Sequence, residues 1–475
     1  MDFLLLDDRT NLKLSIIRKL EQQYSFSERK DVLCEELNIS QYLLERSVTE
    51  INEDLKQFEL IDEMELVEQS SEIILFQDAQ VSSSVVEEKY LKDSLEFTLL
   101  QTLFFNQFTS IKKYGEKHGM SRTVVYKIVD RIRKELAQYE IKLSKNFQLV
   151  GNEWKIRQYF NMLYYRIYKD SDELYNQSDI LAVQELFSEI KLYCEEVNTL
   201  YLFKHYLLIT LERVKRKQHY FLPNSFKSVE FDQKNKIYQT VAQWSERTLK
   251  GTNREIEVEI RGIINQLSVY RLEFCDLEND VVTEYTERLK QQFQMNMQLS
   301  EIGPEFCTSV KMTIYQHQFI TPLIDLTLRA IDLEFFHERY PIIFEMCHTF
   351  IYQLKEDEFK FSKKSLFFNL LLVLSQQYDE ETDKNTINIY VNFTQGEKYN
   401  RFIKNQIQIF DSFSIHFQPV IRPDTDLIVS DYLPQVTFSA RNLIWLAPPR
   451  ASDWRNFGNE IVRINRELQL NKKRK

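Results

Sequence analysis

Glycine occurs 8 times and proline 9 times in 475 residues. Those two residues supply most left-handed and fixed-φ backbone, so this chain has few places to turn tightly. Long uninterrupted helices are favoured over folds built on repeated turns. The scarcity also removes phosphate-cradling loops. Neither G-x-G-x-x-G nor G-x-x-x-x-G-K-[ST] is present, so dinucleotide and P-loop sites have no sequence support. The expected fold class is mainly α, with three to five domains at roughly 100–200 residues each.

Other chemistries are poorly served. Five cysteines lie far apart with no C-x-x-C pair, which indicates buried thiols in a reducing cytosol rather than a zinc site or disulfides. Seven histidines include no H-E-x-x-H, and G-x-S-x-G is absent. No enzyme activity, cofactor or metal is expected. Met1–Asp8 has no basic segment before its apolar run, unlike a signal peptide. No apolar run reaches the ~20 residues that span a bilayer, so no membrane partner is expected and the protein reads as cytoplasmic.

Residues 1–82 contain three amphipathic segments and then a hairpin. Leu12 to Leu20 carry a helical stripe, and Ser27-Glu28-Arg29-Lys30 resembles a helix start. Ser40 caps a third helix to about Phe58, before short alternating pieces at Glu65–Glu68 and Ile73–Phe76. That order makes a winged helix-turn-helix. The plan recurs over residues 84–150. A long helix is expected from about Glu87 to Phe105, and a short one from Ser110 to about His118. Gly119 then breaks the chain, and a helix capped by Ser121 runs to about Tyr139. Ile141–Leu143 and Phe147–Val150 form the wing. Ser40–Ile51 lies over Ser121–Ile132 without a gap. Apolar residues coincide at Leu44/Val125, Val48/Val129 and Ile51/Ile132, the inner stripe of a short helix.

Charge separates the two modules. Residues 1–82 hold 8 basic and 19 acidic residues, a net of −11. Residues 107–150 hold 10 basic and 4 acidic residues, a net of +6. Duplex DNA is bound largely through phosphate neutralisation, which marks the second module as the DNA reader. With Val125, Ile128, Val129, Ile132 and Leu136 turned to the core, Arg122, Thr123, Tyr126, Lys127, Asp130 and Arg131 lie on or near the outer face, and the capping Ser121 joins all but Asp130 as a candidate DNA contact. Those early in the helix are placed for base edges. Lys112, Lys113, Lys117 and Lys142 are placed for phosphates. In the first module Glu45 occupies the position of Tyr126 and would repel phosphate, leaving Arg46 as its candidate contact.

The segment Tyr114–Ile132, the wing ending Phe147-Gln-Leu-Val-Gly151, and Glu153-Trp-Lys-Ile-Arg157 together resemble the Mga/AtxA-type virulence regulators of Gram-positive bacteria. Such regulators join two winged helices, two phosphotransferase-system regulation domains (PRDs) and a C-terminal domain like a phosphotransferase EIIB subunit. The resemblance implies this architecture, with PRD-like bundles at 169–285 and 286–385 and an EIIB-like α/β domain at 386–475. Residues 83–168 hold the second winged helix with its connecting helix. Leu202–Arg213 is similar to the PRD segment that carries a phosphorylatable histidine, which falls here on His205, beside Arg213, Lys215, Arg216 and Lys217. In the second bundle Thr308 stands at the corresponding place. The EIIB-like segment Asn388–Gly396 has no cysteine where active EIIB subunits are phosphorylated, so it reads as an association module.

The resemblance implies duplex DNA, a homodimer or higher oligomer, and phosphotransferase phosphocarrier proteins as partners. A signalling protein that acts mainly through protein association is the alternative. An RNA antiterminator is a third reading, disfavoured by a helical rather than β-rich N-terminus.

Overall fold

The computed structural model describes residues 5–23, 25–191, 197–219, 235–270, 280–297, 302–319, 333, 336–337, 340–354, 363–381, 386–408, 413–433, 440–445 and 448–473. The chain is mainly helical, with a small N-terminal sheet, a two-stranded wing and a C-terminal parallel sheet. It divides into two compact units, one of Met1–Glu278 with Phe319–Ala330 and one of Asn279–Gln318 with Ile331–Lys475.

The first unit opens with α1 (Asp8–Gln22), β1 (Ser27–Arg29), α2 (Lys30–Leu37), α3 (Gln41–Gln57), β2 (Met64–Gln69) and β3 (Glu72–Gln77). Ser40 caps α3 as expected, accepting from the Leu43 N–H. Ser27–Arg29 does not start a helix. It forms a strand antiparallel to β3, with Ser27 opposite Ile74. Three residues gain backbone partners there that a first helical turn would leave orphaned.

The second module follows as α4 (Ser83–Asp93), α5 (Leu95–Phe104), α6 (Ile111–His118), α7 (Arg122–Gln138), β4 (Lys142–Leu143) and β5 (Leu149–Val150). The single helix expected over Glu87–Phe105 is two helices. Ser94 takes an extended conformation between them, and its hydroxyl accepts from the Phe97 N–H. An apolar stripe continues across the break, so periodicity alone does not reveal it. Wing register pairs Lys142 with Val150 and Leu143 with Leu149.

Among the described residues five further helices follow: α8 (Glu153–Tyr168), α9 (Gln177–Ile190), α10 (Val197–Val214), α11 (Lys236–Thr248) and α12 (Asn253–Tyr270). One hydrophobic core runs from Leu5 through both winged helices into α12. Aromatic edge contacts tie α5 to α8, with the Phe104 and Phe160 rings 4.4 Å apart and Phe104 against Tyr164 at 5.4 Å. Glu87 of α4 accepts ion pairs from Arg18 of α1 and Arg166 of α8. The DNA-reading candidate is therefore built into the helical body, not tethered to it.

In the second unit, helices span Asp280–Met297, Pro304–Phe319, Pro341–Tyr352 and Lys363–Glu381. A four-stranded sheet follows, from β6 (Thr386–Asn392), β7 (Ser414–Gln418), β8 (Leu427–Ser430) and β9 (Arg441–Ile444), in the order β7-β6-β8-β9. All three pairings are parallel. β9 carries no alternation that would announce it; pairing with β8 makes it a strand. Ile387, Ile389, Val391, Leu427 and Val429 form one face, packed with Ile403 of helix Glu397–Ile407 and Phe457 and Ile461 of helix Ala451–Lys473.

Candidate nucleic-acid interface

The second module has the geometry of a helix-turn-helix. Ser110 caps α6 and accepts from the Lys113 N–H. Gly119 ends that helix at φ 65°, a left-handed conformation in open space. Gly115 meets a different demand. A Cβ there would lie 2.7 Å from the Met120 carbonyl oxygen, so the turn can pass this close only to glycine. Ser121 then caps α7, its hydroxyl accepting from the Val124 N–H at 3.3 Å. This cap sets where α7 begins and leaves Ser121 exposed at its N-terminus.

Val125, Ile128, Val129, Ile132 and Leu136 are buried, as the stripe requires. Each buried side chain of this size contributes about 1.5–3 kcal/mol, which fixes the rotation of α7 about its axis. That rotation leaves Arg122, Thr123, Tyr126 and Lys127 exposed, with Tyr126 59% accessible. Lys113 and Lys117 on α6 and Lys142 on the wing are exposed as well, with no ion pair among the described residues. Lys112 has only a loose 3.8 Å approach to Glu116.

Two expected contacts are engaged elsewhere. Arg131 is only partly exposed, and its Nη1 donates to Glu96 Oε1 at 2.8 Å. The Glu96 hydrogen bond raises the Arg131 pKa above the usual range. Arg46 donates to Glu50 at 2.8 Å, and Arg9 pairs with the same carboxylate. Lys30 is likewise held, by Glu45 and Glu68. The acidic first module neutralises its own cations, because its carboxylates outnumber them. Its outermost helix face offers Tyr42, 73% exposed, rather than free positive charge.

The geometry of residues 79–164 has a counterpart among known proteins. This segment matches the Mga helix-turn-helix domain. That domain type belongs to DNA-binding transcription regulation, and the match spans α4 through most of α8, the elements that place the exposed cations. No curated protein matches the chain.

His205 occupies a sealed site. Its ring is 2% exposed. Nε2 lies 2.7 Å from the Lys169 carbonyl oxygen, which can only accept, so Nε2 carries the proton. Nδ1, 3.1 Å from Tyr175, then accepts from the hydroxyl. Burial lowers the His205 pKa to about 4, against the opposing pull of the Lys169 hydrogen bond and Asp172. Neither nitrogen is presented to a phosphoryl donor in this conformation. Three of the four neighbouring cations are engaged, and Lys217 is exposed with no ion pair among the described residues. Arg213 grips Glu153 through two hydrogen bonds, Lys215 pairs with Asp179, and Arg216 pairs with Glu212.

Thr308 is exposed and donates to Pro304 O, as a helical threonine does. A second buried histidine, at no motif position in the sequence, lies on the same helix. His317 lies between the Thr313 carbonyl oxygen at 2.7 Å and the Ser365 hydroxyl at 2.9 Å, and burial lowers its pKa to about 4.

After β6, the loop to helix Glu397–Ile407 keeps Gly396 at φ 86°. The Thr394 N–H and hydroxyl both donate to the Asp431 carboxylate. Among the described residues no helix is long and apolar enough to cross a membrane, and no cluster fit to hold a metal ion is found.

Proposed function

We propose that the chain is a transcription regulator that binds duplex DNA mainly through its second winged helix. The observation that carries this reading is the coincidence of the Mga helix-turn-helix match with the exposed, unpaired cations of α6, α7 and the wing. Arg122, Thr123 and Tyr126 lie in the first turns of α7, which meet base edges when a recognition helix enters the major groove. Lys113, Lys117, Lys127 and Lys142 neutralise phosphates. The first module, with its cations tied up, contributes packing more than DNA contact. One short helix reads few bases, so a dimer that links two half-sites raises affinity and site selection.

The C-terminal α/β domain, with its parallel sheet and no cysteine in Asn388–Gly396, serves as the association module in this reading. Phosphotransferase control through His205 requires the ring to leave Tyr175 and Lys169 first, which makes it a slow, opening-dependent step.

Fluorescence anisotropy with duplex DNA of about 30 base pairs across a salt series tests the proposal. The logarithm of affinity should fall with log salt at about 0.9 per phosphate contacted. Arg122→Ala/Tyr126→Ala/Lys127→Ala should lose most of the affinity. A salt slope near zero, or equal binding by the triple variant, overturns the reading.

A further inference from the structure

The first module's sheet, in the order β1-β3-β2, has one buried face and one open face. Leu66, Ile73 and Leu75 fill the buried one. A solvated face of an antiparallel sheet is usually polar. This one is not. Register sets Glu65 opposite Phe76 and Val67 opposite Ile74, and opposed residues share a face. Phe76 is 56% exposed, and Val67 and Ile74 are partly exposed beside it. Phe26, also exposed, is tied to the same strand through its carbonyl, which accepts from the Leu75 N–H at 2.7 Å.

The free charges round this face are negative. Glu65 and Glu72 are exposed with no ion pair among the described residues, whereas Arg29, opposite Glu72, is taken by Asp31. Strand addition at the middle of β2 is blocked. Asn52 of α3 already donates to the Leu66 carbonyl at 2.7 Å and accepts from its N–H at 3.0 Å. An occupant therefore lies on the side chains, and it needs an apolar centre with a basic rim. Duplex DNA is repelled by such a face. A second copy of the same face would set carboxylate against carboxylate, so the surface is not self-complementary.

The wing of the second module carries the complement. Pairing of β4 with β5 sets Lys142 opposite Val150, so a lysine and a valine stand side by side. Val150 is 51% exposed, and Lys142 and Lys145 are exposed with no ion pair among the described residues. Each wing thus presents one apolar and one charged residue as a cross-strand pair, with opposite signs. Both surfaces stay open within one chain, so they do not satisfy each other there.

We propose that the second-module wing of one copy docks on the first-module sheet face of another. Val150 packs on Phe76 and Ile74, while Lys142 and Lys145 meet Glu65 and Glu72. This contact is additional to the association assigned to the C-terminal domain. It uses wing lysines that the DNA-binding reading gives to phosphate, and it rests on that reading for one consequence: docking and duplex binding exclude each other at the wing.

The test is carbodiimide cross-linking of full-length chain, mixed in equal parts from unlabelled and heavy-nitrogen-labelled protein. That reagent joins only a carboxylate and an amine already in contact, and mixed-isotope peptides identify links between copies. Links from Glu65 or Glu72 to Lys142 or Lys145 are expected. Phe76→Ser leaves every cross-linking residue in place and alters an exposed side chain, so the fold should hold; thermal melting checks this. It should lower the yield of mixed links by roughly five- to tenfold, the scale of one apolar anchor. Saturating duplex DNA should abolish them in the wild type. If sedimentation shows self-association but the mixed links are absent, or Phe76→Ser leaves their yield unchanged, this contact is refuted and the C-terminal association stands. A chain that is monomeric at every concentration refutes both. Links that persist at DNA saturation refute the exclusion.

Discussion

Glu259→Leu should be among the most damaging single substitutions in the first unit. Arg157 is wholly buried, and its guanidinium is held by Glu153, Glu259, the Gln218 carbonyl and, at 3.4 Å, the Thr210 hydroxyl. Nε donates to Glu153 at 3.0 Å, Nη1 and Nη2 donate to Glu259 at 2.6 and 3.0 Å, and Nη2 also reaches the Gln218 carbonyl at 2.9 Å. Arg213 closes the array on Glu153. The four charges sum to zero. Burial works to lower the Arg157 pKa, but Glu259 and Glu153 outweigh it and raise it, so the guanidinium stays charged. Removing Glu259 strips two donors of their partner and leaves one net positive charge in the core. Such a loss costs about 3–5 kcal/mol. Glu259→Gln keeps one acceptor and should cost less, roughly 1.5–3 kcal/mol, the range for hydrogen bonds to a charged group.

The double variant Arg157→Met/Glu259→Leu should recover most of the loss. It removes both charges and leaves Glu153 with Arg213, and apolar replacement of a buried pair is often neutral or better. Hydrogen exchange read by mass spectrometry suits a chain with several domains, because it resolves stability by segment. At about 1.4 kcal/mol per tenfold, Glu259→Leu should cut protection of 153–168 and 253–267 by about a hundred- to a few-thousand-fold. A change below about tenfold, or a double variant worse than the single, would refute the reasoning.

Two further outcomes follow from the geometry. Gly115→Ala places a methyl 2.7 Å from a backbone oxygen and should cost about 1–3 kcal/mol with loss of DNA binding, whereas Gly119→Asn keeps a left-handed residue in open space and should be nearly silent; melting and anisotropy on the pair decide this. His205 titrates near 4 in the fold and near 6.5 when unfolded, so between those values the unfolded chain binds the extra proton and stability falls as pH falls. The full effect is on the order of 3 kcal/mol, and His205→Gln should flatten the pH dependence of exchange in segment 197–214 over that window; an unchanged profile would place the titration elsewhere.

Much of the second module was legible in advance. Ser110, Gly119 and Ser121 mark helix ends through local hydrogen bonds and local backbone geometry, and such signals need no tertiary context. The buried stripe of α7 follows from 3.6-residue periodicity and so does its outward set of Arg122, Thr123, Tyr126 and Lys127. The engagement of Arg131 was not legible. Its partner lies 35 residues away at the head of α5, and no spacing rule links two faces that meet only after packing.

The strand at Ser27–Arg29 and the fourth C-terminal strand belong to the same class, each settled by a long-range partner that outweighs the local preference. The break at Ser94 is a local cap on the Phe97 N–H, hidden within a continuous apolar stripe. His205 shows the divide most clearly. Eight residues from Arg213 on one helix, it reads as a histidine beside open positive charge. The fold instead gives Arg213 to Glu153, from the start of α8, and closes the ring behind Tyr175 and Lys169. Sequence determined the helical class, the duplicated modules and the charge contrast between them, because composition and period are carried within a few turns of chain. Tertiary structure decided which charges stay free for a partner, because an ion pair depends on where both ends finally lie.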